Sequence, residues 1–311
     1  MEEIIIDNKN KLVYIGATFY ALIIGLSFLF TKIALKSADA IDILAFRFTA
    51  SFIAILIPRL FKLIKINYNK DMVKRILPLA IFYPLLFFGF QTFGLEYASS
   101  SEAGILHAAS PIFTLILATY FLHEKTNLLQ KLSVVLSVSG VVYIFIMKGS
   151  SFDINNLKGI ILLLLSALSF SGYNVLAKVL TKDFTSVELS YIMNFIGFIV
   201  FNIMSVIKHL VNGSLGNFFA PIGNFDFLIS IIYLGVLSSL VTSLLANYIL
   251  SYIEASKMSV FSNLGTVISI IAGVVFLNEK IFYYHIIGSI LIVGGVIGAN
   301  FLGDRKVKNI L

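Results

Sequence analysis

Continuous apolar runs of about 20 residues recur along the chain, each long enough to cross a hydrocarbon core as a helix. Ten are legible, at about 12–35, 41–61, 74–94, 100–122, 128–147, 157–179, 187–208, 226–249, 255–277 and 283–302. They lack the short alternating segments of a membrane barrel, so the pattern predicts an all-α membrane protein of ten transmembrane helices. Polar residues collect between the runs in connections too short to fold by themselves, the longest at about 62–73, 148–156 and 209–225. The first run follows an acidic start and carries no small-residue cleavage pattern. It is expected to stay in the mature protein rather than leave as a signal peptide.

The pattern also repeats. Leu95–Lys125 aligns with Leu250–Lys280 without a gap, with eight of 31 positions identical. Four of those close the copies: Phe121, Leu122, Glu124 and Lys125 against Phe276, Leu277, Glu279 and Lys280. The beginnings agree more weakly, Leu26, Ser27 and Phe28 with Leu168, Ser169 and Phe170, and Ile41, Asp42 and Ile43 with Val187, Glu188 and Leu189. The chain therefore reads as one five-helix unit made twice, over residues 1–149 and 150–311. Because five is odd, the second copy enters the bilayer upside down, and inverted repeats of this kind build sites that open to either side.

Composition narrows the class. Hydrophobic residues make up 59% of the chain, charged residues 13%, and the mean hydropathy is +0.96, which excludes an ordinary soluble domain. A net charge of +7 would suit a nucleic-acid partner, but the placement of the cations argues against one. Sixteen lysines and arginines lie at the termini and in the even-numbered connections, and five in the odd-numbered ones. By the positive-inside rule both termini are cytoplasmic, in the cell membrane. The absence of cysteine removes disulfides and thiolate metal sites. There is no phosphate loop, no metal-ligand spacing and no nucleophile elbow, so neither an enzyme, a metal nor a cofactor is expected.

A first run ending in FLFTKIAL, a second carrying AFRF, a fourth with SPIFTLILATYFLHEK, a fifth with SVSGVVYIF, and the later FLNEK and IVGGVIG occur in this order. Together they resemble the EamA family of the drug/metabolite transporter superfamily, across essentially the whole chain. The resemblance implies a basket of two inverted five-helix repeats that moves small metabolites, often amino acids. It places a central cavity among spans 1, 3, 4, 6, 8 and 9. One departure is visible, since Pro111 in the first copy is matched by Thr266 in the second.

Ionisable residues inside a membrane cost roughly 2.5 to 3.5 kcal/mol each on insertion scales, so those that persist are candidates for function. Lys32, near the external end of span 1, would meet a substrate carboxylate or snorkel outward beside Lys36. Arg47 in span 2 would bond carbonyls or pair with Asp42 or Asp39, a structural or gating role. His107 lies four residues before Pro111, and proline frees the carbonyl four residues earlier. A kink there would leave that carbonyl unbonded beside a titratable ring, for a substrate ammonium, for a proton, or for packing alone. Glu102 with Glu96, and Glu254 with Lys257, flank the starts of spans 4 and 9 as gates or as dipole-matched carboxylates. Within the cavity that the resemblance implies, Gln91, His107, Asn174, Asn247 and Asn263 are the polar candidates, with Phe28, Phe87 and Tyr173 as walls. Asn194 and Asn202 are expected to bond a neighbouring helix. Gly294 and Gly298 form a GxxxG that would pack inside the monomer or join a homodimer.

The sequence thus points to a secondary transporter of a small solute, most simply an amino acid or related zwitterion. It would work by alternating access in the export direction, with proton coupling undecided. A drug or nucleotide-sugar carrier of the same superfamily is the alternative. An intramembrane enzyme or receptor is the competing class.

Overall fold

Helices account for every membrane-length element in the computed structural model, which describes residues 2–64, 66, 69–123, 127–148 and 154–301. In chain order they are α1 (Glu2–Ala34), α2 (Ala40–Leu60), α3 (Lys70–Ala80), α4 (Phe87–Tyr97), α5 (Ser100–His107), α6 (Ser110–Phe121) and α7 (Leu128–Lys148). Then come α8 (Ile154–Leu180), α9 (Ser186–Val211), α10 (Phe225–Ile232), α11 (Thr242–Tyr252), α12 (Ala255–Leu277) and α13 (Tyr283–Phe301). No strand occurs among the described residues. Among them, seven helical stretches are long and apolar enough to cross a membrane, and shorter apolar helices lie at Lys131–Gly140, Ser262–Leu277 and Tyr283–Gly295. The protein is a multi-pass membrane protein. Its outer surface carries Ile15, Phe19, Ile203, Val275, Ile286 and Ile290 exposed, as a lipid-facing surface requires.

Local chemistry explains where the helices start and stop. Ser99 accepts from the Glu102 amide at 3.1 Å while the Glu102 carboxylate accepts from the Ser99 amide at 3.1 Å, a reciprocal cap that begins α5. Thr185 and Glu188 make the same box at the head of α9. At the far end of α12, Asn278 takes the left-handed conformation at φ 54°, which an asparagine tolerates and which closes the helix.

Two expected single spans are interrupted partway. Between α3 and α4 the helix is kinked within Ile81–Leu86, where Tyr83 takes extended dihedrals, φ −144° and ψ 112°, before Pro84, which has no amide hydrogen to give. Between α10 and α11, Tyr233–Val241 is π-helical. There the hydroxyls of Ser239, Thr242 and Ser243 donate to the carbonyls of Leu234, Ser238 and Leu240 at 2.9, 2.7 and 2.9 Å. Side-chain hydroxyls that take up carbonyls are what lets a helix depart from α geometry in lipid.

Contacts fix how the helices lie against each other. Across α4 and α8, Tyr97 meets Gly159, Gly94 meets Leu163 and the Phe87 carbonyl accepts from Ser166 at 2.9 Å, so the two run antiparallel. Across α2 and α9, Ser205 bonds Asp42, Asn202 bonds Thr49 and Ser51 bonds Asn194, again antiparallel. Asn194 and Asn202 thus join the neighbouring helix, as expected from their spacing. At the crossing of α1 and α12, a Cβ on Gly25 would collide with the Gly265 carbonyl and Ile268, so only glycine permits that approach. Gly140 of α7 likewise meets the Gly288 carbonyl of α13, whereas Gly294 faces open space.

Candidate functional site

His107 is the last residue of α5, and the helix breaks at Ala108 and Ala109 before α6 begins with Ser110 and Pro111. Its ring is buried inside three phenylalanines. The centroids of Phe28 on α1, Phe87 on α4 and Phe170 on α8 lie 5.9, 5.7 and 5.1 Å from it. The His107 carbonyl is not left unbonded, contrary to expectation, because the Ser110 hydroxyl donates to it at 2.6 Å. Serine one residue before proline takes up the carbonyl that proline releases. The ring Nδ1 lies 3.4 Å from the same hydroxyl, and Nε2 has no hydrogen-bond partner among the described residues.

Three carboxamides share that condition. Gln91, Asn174 and Asn263 are at most 5% exposed, and neither polar atom of any of them has a partner among the described residues. Gln91 follows Phe87 by four residues on α4, and Asn174 follows Phe170 by four on α8, so each shares a helix face with one wall of the aromatic box. Asn263 reaches the same depth by register. Ser101 of α5 meets Gly273 of α12 and Gly104 meets Ser269 and Thr266, so the next turns bring residues 107–108 level with 262–263. Because α4 and α8 run antiparallel, Gln91 and Asn174 lie one turn to opposite sides of the box. Buried polar groups are almost always satisfied, so these carboxamides and the ring Nε2 call for polar partners.

Tyr173 and Asn247, by contrast, are already engaged. The Tyr173 hydroxyl donates to Asn247 Oδ1 at 2.8 Å, and Asn247 Nδ2 donates to Ser190 Oγ at 3.0 Å. Tyr83 stacks on Tyr173 with centroids 4.7 Å apart and also stacks on Phe87. These groups form a bonded wall beside the His107 box.

The charged candidates are distributed differently from the expectation. Lys32 turns inward, and its ammonium donates to the carbonyls of Leu95 and Ala98 at 2.6 and 2.8 Å, at the end of α4. Lys178 on α8 donates to the Leu250 carbonyl at 2.9 Å, near the end of α11. Leu95 and Leu250 are equivalent positions of the repeated stretch. Arg47 does not pair with Asp42 or Asp39. Five residues along a helix turn the side chain by about 140°, away from Asp42. Lys208 takes both carboxylates at 2.7 Å instead, and Asp42 also meets His209 at 3.1 Å and Ser205 at 2.5 Å.

Of the proposed gates, Glu102 serves the cap of α5 and lies 4.0 Å from His285 Nε2. Glu254 stands at the N-cap of α12 without a side-chain cap bond. The side chain of Lys257, and all of Glu124 and Lys125, lie outside the described residues. Glu279 does more than end a span. Its carboxylate accepts from the Ser100 amide at 2.7 Å, the Ser101 amide at 2.9 Å and the Ser101 hydroxyl at 2.5 Å, at the head of α5.

Sequence reasoning missed Phe170 although the repeat pairs it with Phe28. It also missed the Asp42, Lys208 and His209 cluster, whose members are too far apart in the chain for spacing to reveal. A separate lateral cleft of about 910 Å³ lies between α6 and α7, lined by Thr119, Tyr120, His123 and Lys131 among others, and does not include His107.

Comparison with known proteins agrees with this architecture. The model of the EamA-like transporter family matches the chain twice, over residues 11–146 and 157–301. The uncharacterized transporter YcxC of Bacillus subtilis (strain 168) is 50% identical over 303 residues, covering 97% of both chains. An uncharacterized transporter of Archaeoglobus fulgidus is 29% identical over 273 residues, covering 88% of this chain and 92% of its own. One crystal structure superposes with a TM-score of 0.65 at 16% identity over 95% of this chain and 98% of the other, a likeness of fold.

Proposed function

This chain belongs to the EamA-like transporter family, and on that premise we propose that it is a secondary transporter of the cell membrane that carries small zwitterionic metabolites by alternating access. The solute is an amino acid or a close relative, moved outward, and both termini are cytoplasmic. The direction rests on the family resemblance alone.

The observation that carries the reading is the buried imidazole of His107 in its box of Phe28, Phe87 and Phe170, with unsatisfied Asn263 level with it and unsatisfied Gln91 and Asn174 one turn to either side. A solute with an apolar side chain and a polar backbone fits both halves of that lining, since ligand sites join apolar walls to a few convergent polar groups. Four different helices supply the groups, so relative motion of those helices changes the site. Two features support ten spans in two inverted repeats: both third spans of the units are interrupted partway, by a kink in one and a π-helical turn in the other, and α12 runs antiparallel to α5, its equivalent in the repeat.

Flux into proteoliposomes tests the reading. The wild type is expected to move at least one labelled amino acid unchanged, and His107→Ala to slow it by about tenfold or more, the equivalent of roughly 1.4 kcal/mol. Movement of nucleotide sugars or lipophilic cations without any amino acid would replace the proposed cargo. If no solute crossed in any arm, the transport reading itself would fall.

A further inference from the structure

Arg47 lies in the middle of α2 with no exposed surface. A guanidinium does not lose its proton in proteins, so its charge has to be met where it lies. Nε donates to Ser239 Oγ at 2.7 Å, and Nη2 donates to Ser238 Oγ at 2.8 Å and to the Ser238 carbonyl at 3.3 Å. The Phe88 ring covers Cζ at 3.7 Å. All of these partners are neutral. Nη1 is buried with no hydrogen-bond partner, and no described carboxylate lies within ion-pairing distance of the group.

Lys208 meets its anions directly, holding Asp39 and Asp42. Lys32 donates to two carbonyls and lies in the field of Glu279, Glu102 and Glu96. A buried cation without an anion is strongly unfavourable, and it becomes tolerable when an anion with matching hydrogen bonds completes it. The position of Arg47 in the fold points the same way. Ser238 and Ser239 belong to the π-helical turn of Tyr233–Val241, and a Cβ on Gly235 of that turn would strike the Arg47 carbonyl. Tyr83, from the kink between α3 and α4, lies 3.3 Å from Thr242 Oγ1, which in turn donates to the Ser238 carbonyl that Arg47 also bonds. Arg47 therefore sits where that kink meets the π-helical turn of Tyr233–Val241, and π-helical turns cluster at functional sites. Phe88, which covers the guanidinium, packs on Phe87 at 4.6 Å, and Phe87 is a wall of the His107 box.

We infer that Arg47 binds the carboxylate of the transported solute, with Nη1 as the principal donor and the Ser238 hydroxyl beside it; this rests on the transporter reading given above. The solute class narrows to small monocarboxylates whose apolar or ammonium-bearing part occupies the His107 box. Nε and Nη2 are held by the two serines, which orients the guanidinium and leaves Nη1 to donate to the carboxylate.

Thermal unfolding of the detergent-purified protein, with the twenty standard amino acids, their methyl esters and sodium chloride as probes, tests the inference. At least one amino acid is expected to raise the melting temperature of the wild type, its methyl ester to fail, and chloride to fail. Arg47→Gln is expected to abolish the shift. Arg47→Lys keeps the charge but cannot hold both serines and still present a fixed donor, and is expected to raise the half-saturating concentration by roughly tenfold or more. If Arg47→Gln does not fold, the Lys variant and the ester comparison decide. Equal stabilisation by acid and ester, a carboxylate-dependent shift that survives Arg47→Gln, an unchanged half-saturating concentration in Arg47→Lys, or no shift from any amino acid would each overturn it. A proteoliposome arm separates this failure from that of the transporter reading: acid and ester carried at equal rates would remove the role of Arg47 and leave transport standing.

Discussion

At the scale of single residues, the membrane interior sorts polar groups into those with partners and those without. Asp42 illustrates the first kind, since its two oxygens receive Ser205, Lys208 and His209. Removing one member of a buried ionic cluster leaves the others uncompensated, so Asp42→Asn should cost about 3 kcal/mol. Asp39 meets the same lysine with its own side chain 74% exposed, and Asp39→Asn should cost about 0.5 kcal/mol or less. Denaturation midpoints of the two purified variants check the order, and equal losses would contradict it. Gln91, Asn174, Asn263 and His107 are the second kind. Their unsatisfied atoms are retained at a cost to stability, for which the proposed solute site would account.

At the scale of elements, the helix ends carry much of the organisation. Lys32 neutralises the carbonyl end of α4 and Lys178 that of α11, so equivalent positions of the repeat receive equivalent clamps from the first helix of each unit. Hydrogen bonds from charged donors contribute about 1.5 to 3 kcal/mol, so Lys32→Met and Lys178→Met should each lower stability by amounts in that range. Thermal melts in detergent would show this, and a silent variant at either site would break the equivalence. The clamp was not legible in the sequence, because a lysine near a span end is as compatible with snorkelling as with a carbonyl partner one helix away. The kink at Tyr83 and the π-helical turn of Tyr233–Val241 were hidden for a different reason. A run that is apolar all round has no stripe whose phase could slip at an extra residue. Phe170, in contrast, was legible from its match to Phe28, and so was the interruption before Pro111. Of the partners expected for Arg47, a carbonyl is found, that of Ser238 at 3.3 Å, while the pairing with Asp42 fails because proximity in sequence took the place of the helix face, and the cation that claims Asp42 comes from α9, 166 residues away.

At the scale of the whole molecule, the account depends on two copies of one unit lying upside down to each other. The duplicated stretches and the ten apolar runs were readable from the chain, and the family model matches each half separately. What the sequence left out is how the halves engage. Glu279 closes the second repeated stretch and caps the head of the first, with Ser100 and Ser101 as donors, so the end of α12 and the start of α5 lie together. On the proposed inverted arrangement, the ends of the two repeated stretches fall on opposite faces of the bilayer. The chain has no cysteine, so single cysteines can be introduced at Asn127 and at Lys280 and probed in intact cells with a membrane-impermeant maleimide. Labelling at Lys280→Cys, with Asn127→Cys reacting only after the membrane is opened, is the predicted result. Equal labelling of both from the outside, or protection of both, would contradict the inverted arrangement and the transport cycle built on it.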